Sequence, residues 1–130
     1  MPWAVLIVRI IVGGGFIVFG LDHWLHYMPK PPEPPESARH FIGAIYATPY
    51  FDVVKGLEVI GGLLVLTGRF APLGLVLLVP VTVNIALWDA FLVKYTMPPI
   101  GTVMLVLEIF LLFAYRRYFA SVFTSDARPG

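Results

Sequence analysis

The sequence predicts an all-α, polytopic membrane protein: a bundle of four transmembrane helices with a short interfacial helix in the first outer loop. Three observations carry this. Of 130 residues, 58% are hydrophobic and only 13% charged, whereas soluble domains carry about 25% charge. Mean hydropathy is +0.84. The apolar residues gather into four long runs, and no alternating pattern of about ten residues suggests a β-barrel. The length allows one domain, residues 1–130. The absence of cysteine excludes disulfides, thiol catalysis and cysteine-held clusters. A formal charge of +1 carries no nucleic-acid signature.

The first run, 3–21, has 19 residues and at 1.5 Å per residue covers about 28 Å, the depth of a hydrocarbon core. Its end, Phe19-Gly20-Leu21-Asp22, offers no small-x-small cleavage site, so it is expected to stay attached rather than act as a signal peptide. The second, 51–67, is entered through Pro49 and closed by Gly68-Arg69. The third, 72–93, starts at Pro72 and contains Pro80, which deprives the Val76 carbonyl of its usual donor and predicts a kink. The fourth, 99–119, ends at the Arg116-Arg117 pair.

Four spans place both termini on one side. With the termini inside, Arg69, Arg116, Arg117 and Arg128 lie in the cytoplasm against Lys30, Arg39 and Lys94 outside, which favours that orientation in the inner membrane. The outer loop, 22–50, begins with the proline-rich stretch 28–35, expected to form an extended strut. Ser37 then reads as the N-cap of an amphipathic helix, 38–47. Phe41, Ile42, Ile45 and Tyr46 share its apolar face, and Arg39 and His40 turn away. This helix is expected either to act as a lid over the outer end or simply to cap the bundle. Residues 120–130 form a short C-terminal tail.

Five ionisable residues fall at membrane depth: Arg9, Lys55, Glu58, Asp89 and Glu108, with Asn84 as a further polar group. Each costs at least about 2.5 kcal/mol to insert, so such residues normally face the bundle interior. Arg9, Gly13, Phe16, Gly20 and His23 follow one helical stripe, and Lys55, Glu58 and Gly62 follow another. Glu108 shares a stripe with Gly101, Met104 and Tyr115. Asn84 and Glu108 fall near mid-membrane, Glu58 there or slightly outward, and Arg9 in the inner third. Lys55, Asp89, His23 and His26 fall toward the outer mouth. One reading makes the polar groups an internal network that fixes helix register. A second makes them a pocket for a polar headgroup such as a quinone ring or small acid, with Glu58 or Glu108 as proton acceptor and Arg9 or Lys55 as anion partner. A third is an ion or proton path. His23 and His26 are spaced i, i+3, but no further ligand pattern accompanies them and no metal is assigned. Interfacial aromatics such as Trp3, Trp24, Tyr27 and Tyr118 fit belt anchoring. No phosphate-cradling glycine loop or serine elbow is present, which argues against hydrolases and nucleotide-driven pumps.

Three stretches resemble the DoxX family of small four-helix bacterial membrane proteins. They are Leu6-Ile7-Val8-Arg9-Ile10-Ile11-Val12-Gly13 with Phe19-Gly20-Leu21, then the segment from Lys55-Gly56-Leu57-Glu58 through Gly61-Gly62 to Gly68-Arg69, and Pro80-Val81-Thr82-Val83-Asn84-Ile85. Where family members are expected to carry a histidine shortly after the asparagine, this chain has Trp88-Asp89. The resemblance implies a four-helix bundle, makes Arg9, Glu58 and Asn84 the residues matching the family motifs, and links the chain to redox systems, some feeding electrons to quinone and others managing oxidative stress. No flavin or haem site is recognisable and no intrinsic cofactor is expected, so a redox role would use a partner or a diffusible quinone. The leading expectation is therefore an integral membrane subunit, not an enzyme alone, whose pocket of Arg9, Lys55, Glu58, Asn84, Asp89 and Glu108 binds a quinone or lipid-like ligand. The alternative is a structural accessory subunit that contacts other membrane subunits or its own copies through its apolar faces.

Overall fold

A backbone surrounded by lipid must satisfy its own N–H and C=O groups, and among these apolar runs only helices do so. The computed structural model describes residues 2–29 and 33–130 and is helical throughout, with no strand among the described residues. Helix α1 spans Pro2–Leu25, α2 Glu36–Tyr46, α3 Tyr50–Thr67, α4 Ala71–Leu87 and α5 Ile100–Ala114. A π-helical turn, Trp88–Leu92, extends α4, and two short 3-10 turns, Arg116–Tyr118 and Ala120–Phe123, follow α5. By length and composition, two helices are long and apolar enough to cross a membrane: α1 and the 22-residue stretch Ala71–Leu92.

Local chemistry sets the boundaries. The first helix runs one turn beyond the expected 3–21, which puts His23 on it. It ends where His26 takes a left-handed φ of 54° and Asp22 accepts hydrogen bonds from two backbone N–H groups, His26 through its carbonyl (2.8 Å) and Met28 through its carboxylate (2.7 Å). The expected strut lies partly outside the described residues, because 30–32 are not among them. Helix α2 starts earlier than predicted: Pro35 holds the N-cap position without a side-chain cap bond, and Ser37 lies inside the first turn. Gly68, at φ 79°, closes α3 in the left-handed conformation that glycine adopts without penalty. Helix α4 continues through Pro80. The fourth helix stops five residues short of the expected 119, because Arg116 turns back to donate to the Phe113 carbonyl at 3.0 Å and the chain tightens into 3-10 geometry.

Around the bundle α1 packs on α3, α3 on α4, and α4 on α5, with α5 closing more sparingly against α1. The tightest crossing is between α1 and α3, where a side chain on Gly13 would meet the Gly62 carbonyl at 2.7 Å and one on Gly62 would meet the Gly13 carbonyl at 2.8 Å. Lipid tails are as apolar as leucine, so helices in a membrane gain by such close backbone packing rather than by hiding apolar surface. The core joins Val12 and Phe16 of α1, Val65 of α3, Leu75 and Leu78 of α4, and Met104 and Leu111 of α5. Glu58, Thr82, Asp89 and Glu108 are buried, while Ile7, Ile10, Ile60, Leu73, Val106 and Ile109 are exposed.

Candidate functional site

Helix α2 folds back over the N-terminal end of α3 and the π-helical turn that extends α4. Its apolar face turns inward: Ala38 is buried, the Phe41 ring lies 6.0 Å from that of Trp88, and the Tyr46 ring lies 4.6 Å from that of Phe51. On its outer face Arg39 pairs with Glu33 at 3.1 Å. Beneath α2 lies a cavity of about 480 Å³, within the size range of small-molecule sites. Phe41, Ile42 and Ile45 form its roof, Phe51, Val54, Lys55 and Glu58 one wall, and Pro80, Val81, Asn84, Ile85 and Trp88 the other, with Tyr50 and Met97 at the edge.

Its charged groups sit on one face of α3, spaced i, i+3. Lys55 Nζ lies 3.3 Å from Glu58 Oε2, and the Glu58 side chain is 2% exposed. The ammonium also lies 5.0 Å from the Phe51 ring centroid. Across the cavity Asn84 donates one amide hydrogen to the Pro80 carbonyl at 2.8 Å. Among the described residues its carbonyl oxygen accepts no hydrogen bond, and it stands at the exposed face of α4 that borders the cavity. The arrangement therefore offers a cationic donor, a carboxyl and an amide inside otherwise apolar and aromatic walls.

The structure brings together three of the six residues expected to line one pocket, Lys55, Glu58 and Asn84. The other three are engaged elsewhere. Arg9 donates through Nε to the Val65 carbonyl (3.0 Å) and through Nη2 to the Leu66 carbonyl (3.2 Å), binding the C-terminal end of α3 and lying over Gly68, where a Cβ would meet its guanidinium. Asp89 Oδ2 accepts from the Thr102 backbone N–H (3.0 Å) and hydroxyl (3.1 Å), satisfying first-turn donors of α5. Glu108 is fully buried on the face of α5 it shares with Gly101, Met104 and Leu111, and neither carboxyl oxygen has a hydrogen-bond partner. The polar side chain beside it, Thr82, donates instead to the Leu78 carbonyl at 2.9 Å. One continuous Arg9–Glu58–Glu108 network is therefore not formed.

Near the C-terminal end of α1, at the residues expected to form the outer mouth, His23 Nε2 lies 2.6 Å from Asp52 Oδ1, enclosed by the rings of Trp24, Phe51 and Tyr46 at 5.0–6.0 Å. Asp52 escaped the sequence reading. The signal for it is the stripe Asp52, Lys55, Glu58, an i, i+3, i+6 series on α3 that reaches the mouth one turn before Lys55. His26 lies beyond the end of α1 and does not join His23. Among the described residues no group of three His, Cys, Asp or Glu side chains converges to hold a metal. Burial, and then the charge of Asp22, raises the Tyr46 phenol above its ordinary value, so it remains a hydrogen-bond donor across the neutral range.

No curated protein and no solved structure matches this chain. The DoxX family model matches residues 4–94, which take in nearly all of α1, α2 to α4 and the cavity lining except Met97, but not α5. The match covers well over half of the chain, which belongs to the DoxX family of membrane proteins.

Proposed function

We propose that the chain is a four-span bundle in the bacterial inner membrane, with cytoplasmic termini. Its outer cavity binds the head of a membrane-soluble ligand, a quinone fitting best, in support of a redox partner. The observation that carries this is the cavity beneath α2, apolar and aromatic except for Lys55, Glu58 and Asn84. A quinone ring is flat, apolar on both faces and bears a carbonyl at each end. Aromatic walls suit the faces, while the Lys55 ammonium and the second Asn84 amide hydrogen suit the carbonyls. Quinone reduction takes up two protons with two electrons and quinol oxidation releases them, and the Glu58 carboxyl suits the exchange of one of the two, the other passing to or from water or the partner. The chain's residues bind, orient and move protons; electrons come from and return to the partner.

The test is native mass spectrometry of the full chain extracted in mild detergent, with the bound quinone identified by its mass. Wild type is expected to retain quinone and Glu58→Gln to lose at least about 90% of it, a loss of one hydrogen-bonded charge contact. A ligand-free wild type from quinone-rich membranes would sink the reading. The accessory-subunit reading draws on different observations: Arg9 and Asp89 serve helix ends, and the outward faces are apolar. Under that reading the extracted chain comes bare of quinone but stoichiometrically bound to other subunits or to its own copies.

A further inference from the structure

The bundle carries a second concavity at its opposite end, on the seam where α5 closes against α1. It encloses about 510 Å³, and its lining includes Val5 and Arg9 of α1 with Phe110, Phe113, Tyr115 and Arg116 at the end of α5. Both charged residues of this lining are arginines, and no acidic side chain contributes to it. Among the described residues neither arginine has a carboxylate within 4.0 Å.

Both guanidinium groups are nevertheless held in place. Arg9 is fixed by its bonds to the Val65 and Leu66 carbonyls. Arg116 is fixed by its bond to the Phe113 carbonyl and by the Phe113 ring, 4.4 Å beneath it. A guanidinium has five N–H donors. Arg9 uses two of them on carbonyls and Arg116 one, so most of the donor capacity around this groove is uncommitted. Two arginines with free donors lining one groove suit a phosphate, because the planar fork matches a phosphate in geometry as well as charge. Holding both in advance reduces the ordering cost of binding. The rest of the groove is apolar and suits a hydrocarbon chain rather than water.

We infer that this groove binds the phosphate of an anionic phospholipid, with Arg9 and Arg116 on the phosphate and an acyl chain against Val5, Phe110 and Phe113. The inference rests on the membrane-spanning reading of α1 and α5 made above. A free phosphate ion would satisfy the arginines but leave the apolar lining unused.

Full-length protein in mild detergent, stripped of lipid, is titrated with phosphatidylglycerol or phosphatidylcholine of matched chains and the adducts are counted by native mass spectrometry. Phosphatidylglycerol is expected to be retained at least about fivefold over phosphatidylcholine, the scale of one basic residue acting on an anionic headgroup. Arg116→Gln is expected to abolish the preference. Arg117→Gln is expected to keep it, because the Arg117 guanidinium lies 5.3 Å from the Tyr118 ring and outside the groove. Arg9→Gln is expected to lose the preference together with thermal stability, since Arg9 also binds the end of α3, so Arg116 carries the decision. Equal retention of the two lipids overturns the inference, as does an equal loss in Arg117→Gln, which would reduce the effect to surface charge. A melting shift with inorganic phosphate as large as that with phosphatidylglycerol overturns the lipid as occupant. Alkaline extraction of membranes separates the two failures. A chain that stays in the bilayer but shows no lipid preference overturns only this site, whereas a chain that washes off overturns the spanning reading beneath it.

Discussion

Glu58 and Glu108 carry the same side chain, are buried to the same degree, and meet opposite surroundings. Glu58 has Lys55 one turn before it on the same helix, 3.3 Å away. Glu108 has no hydrogen-bond partner on either oxygen. A buried polar group without a partner costs about 1–3 kcal/mol, and breaking a buried pair leaves the other charge exposed to the same penalty. Replacing each glutamate by leucine is therefore expected to have opposite signs. Glu108→Leu raises the melting temperature of the detergent-solubilised protein by an amount equivalent to roughly 1–3 kcal/mol, and Glu58→Leu lowers it by at least as much because Lys55 is stranded. A fall in both variants would show that Glu108 has a partner in the membrane. Sequence spacing made the Lys55–Glu58 pair legible, since i, i+3 neighbours share a helix face. It could not show that Arg9 binds carbonyls or that Asp89 binds the start of α5. Every residue has a carbonyl and an N–H, so no pattern of side chains marks which ones a long polar group will find.

At the scale of the elements, the stripes were readable and the ends were not. Gly13 and Gly62 stood out as small residues on polar stripes, and the structure places them where α1 and α3 touch backbone to backbone. A side chain at either position would sit 2.7–2.8 Å from the opposing carbonyl, and neither carbonyl can move without its helix. Gly62→Val is expected to force the crossing apart and cost on the order of 2–3 kcal/mol, the scale of overpacking in a close-packed interior. Gly14→Val, whose Cβ meets nothing within 4 Å, is expected to change stability by less than about 0.5 kcal/mol. Thermal unfolding of the two variants in the same detergent checks the contrast, and equal effects would refute the crossing. The helix ends depend on contacts distant in sequence or on single backbone bonds. Ser37 fits an N-cap by type, yet Pro35 takes that place. The fourth helix is apolar through Phe113 but ends where Arg116 claims the Phe113 carbonyl.

The molecule as a whole exposes large apolar side chains while burying Glu58, Thr82, Asp89 and Glu108 beside its apolar core, and its two longest apolar helices, α1 and Ala71–Leu92, have the length to cross a bilayer. Whether α3 and α5 cross beside them follows from packing. Both are wedged between those helices in a closed ring, and 18 residues of α3 reach about 27 Å. Helix α5, with 15 residues, reaches only about 22 Å. The 3-10 turns through Phe123 add length at a steeper rise per residue. Four crossings require successive loops to alternate sides. The natural chain has no cysteine, so single replacements report the sides cleanly. Ser37→Cys and Thr96→Cys are expected to react with a membrane-impermeant maleimide in intact cells, and Arg69→Cys and Ser125→Cys only after the membrane is opened; all four positions are exposed. Inverted labelling with the alternation kept would reverse the orientation, which rests on a small excess of arginine at the inner end. Arg69→Cys reacting together with Ser37→Cys would mean that α3 does not cross. The cavity beneath α2 would then stand beside the membrane rather than within it, and a membrane-soluble ligand would have no route to Lys55 and Glu58.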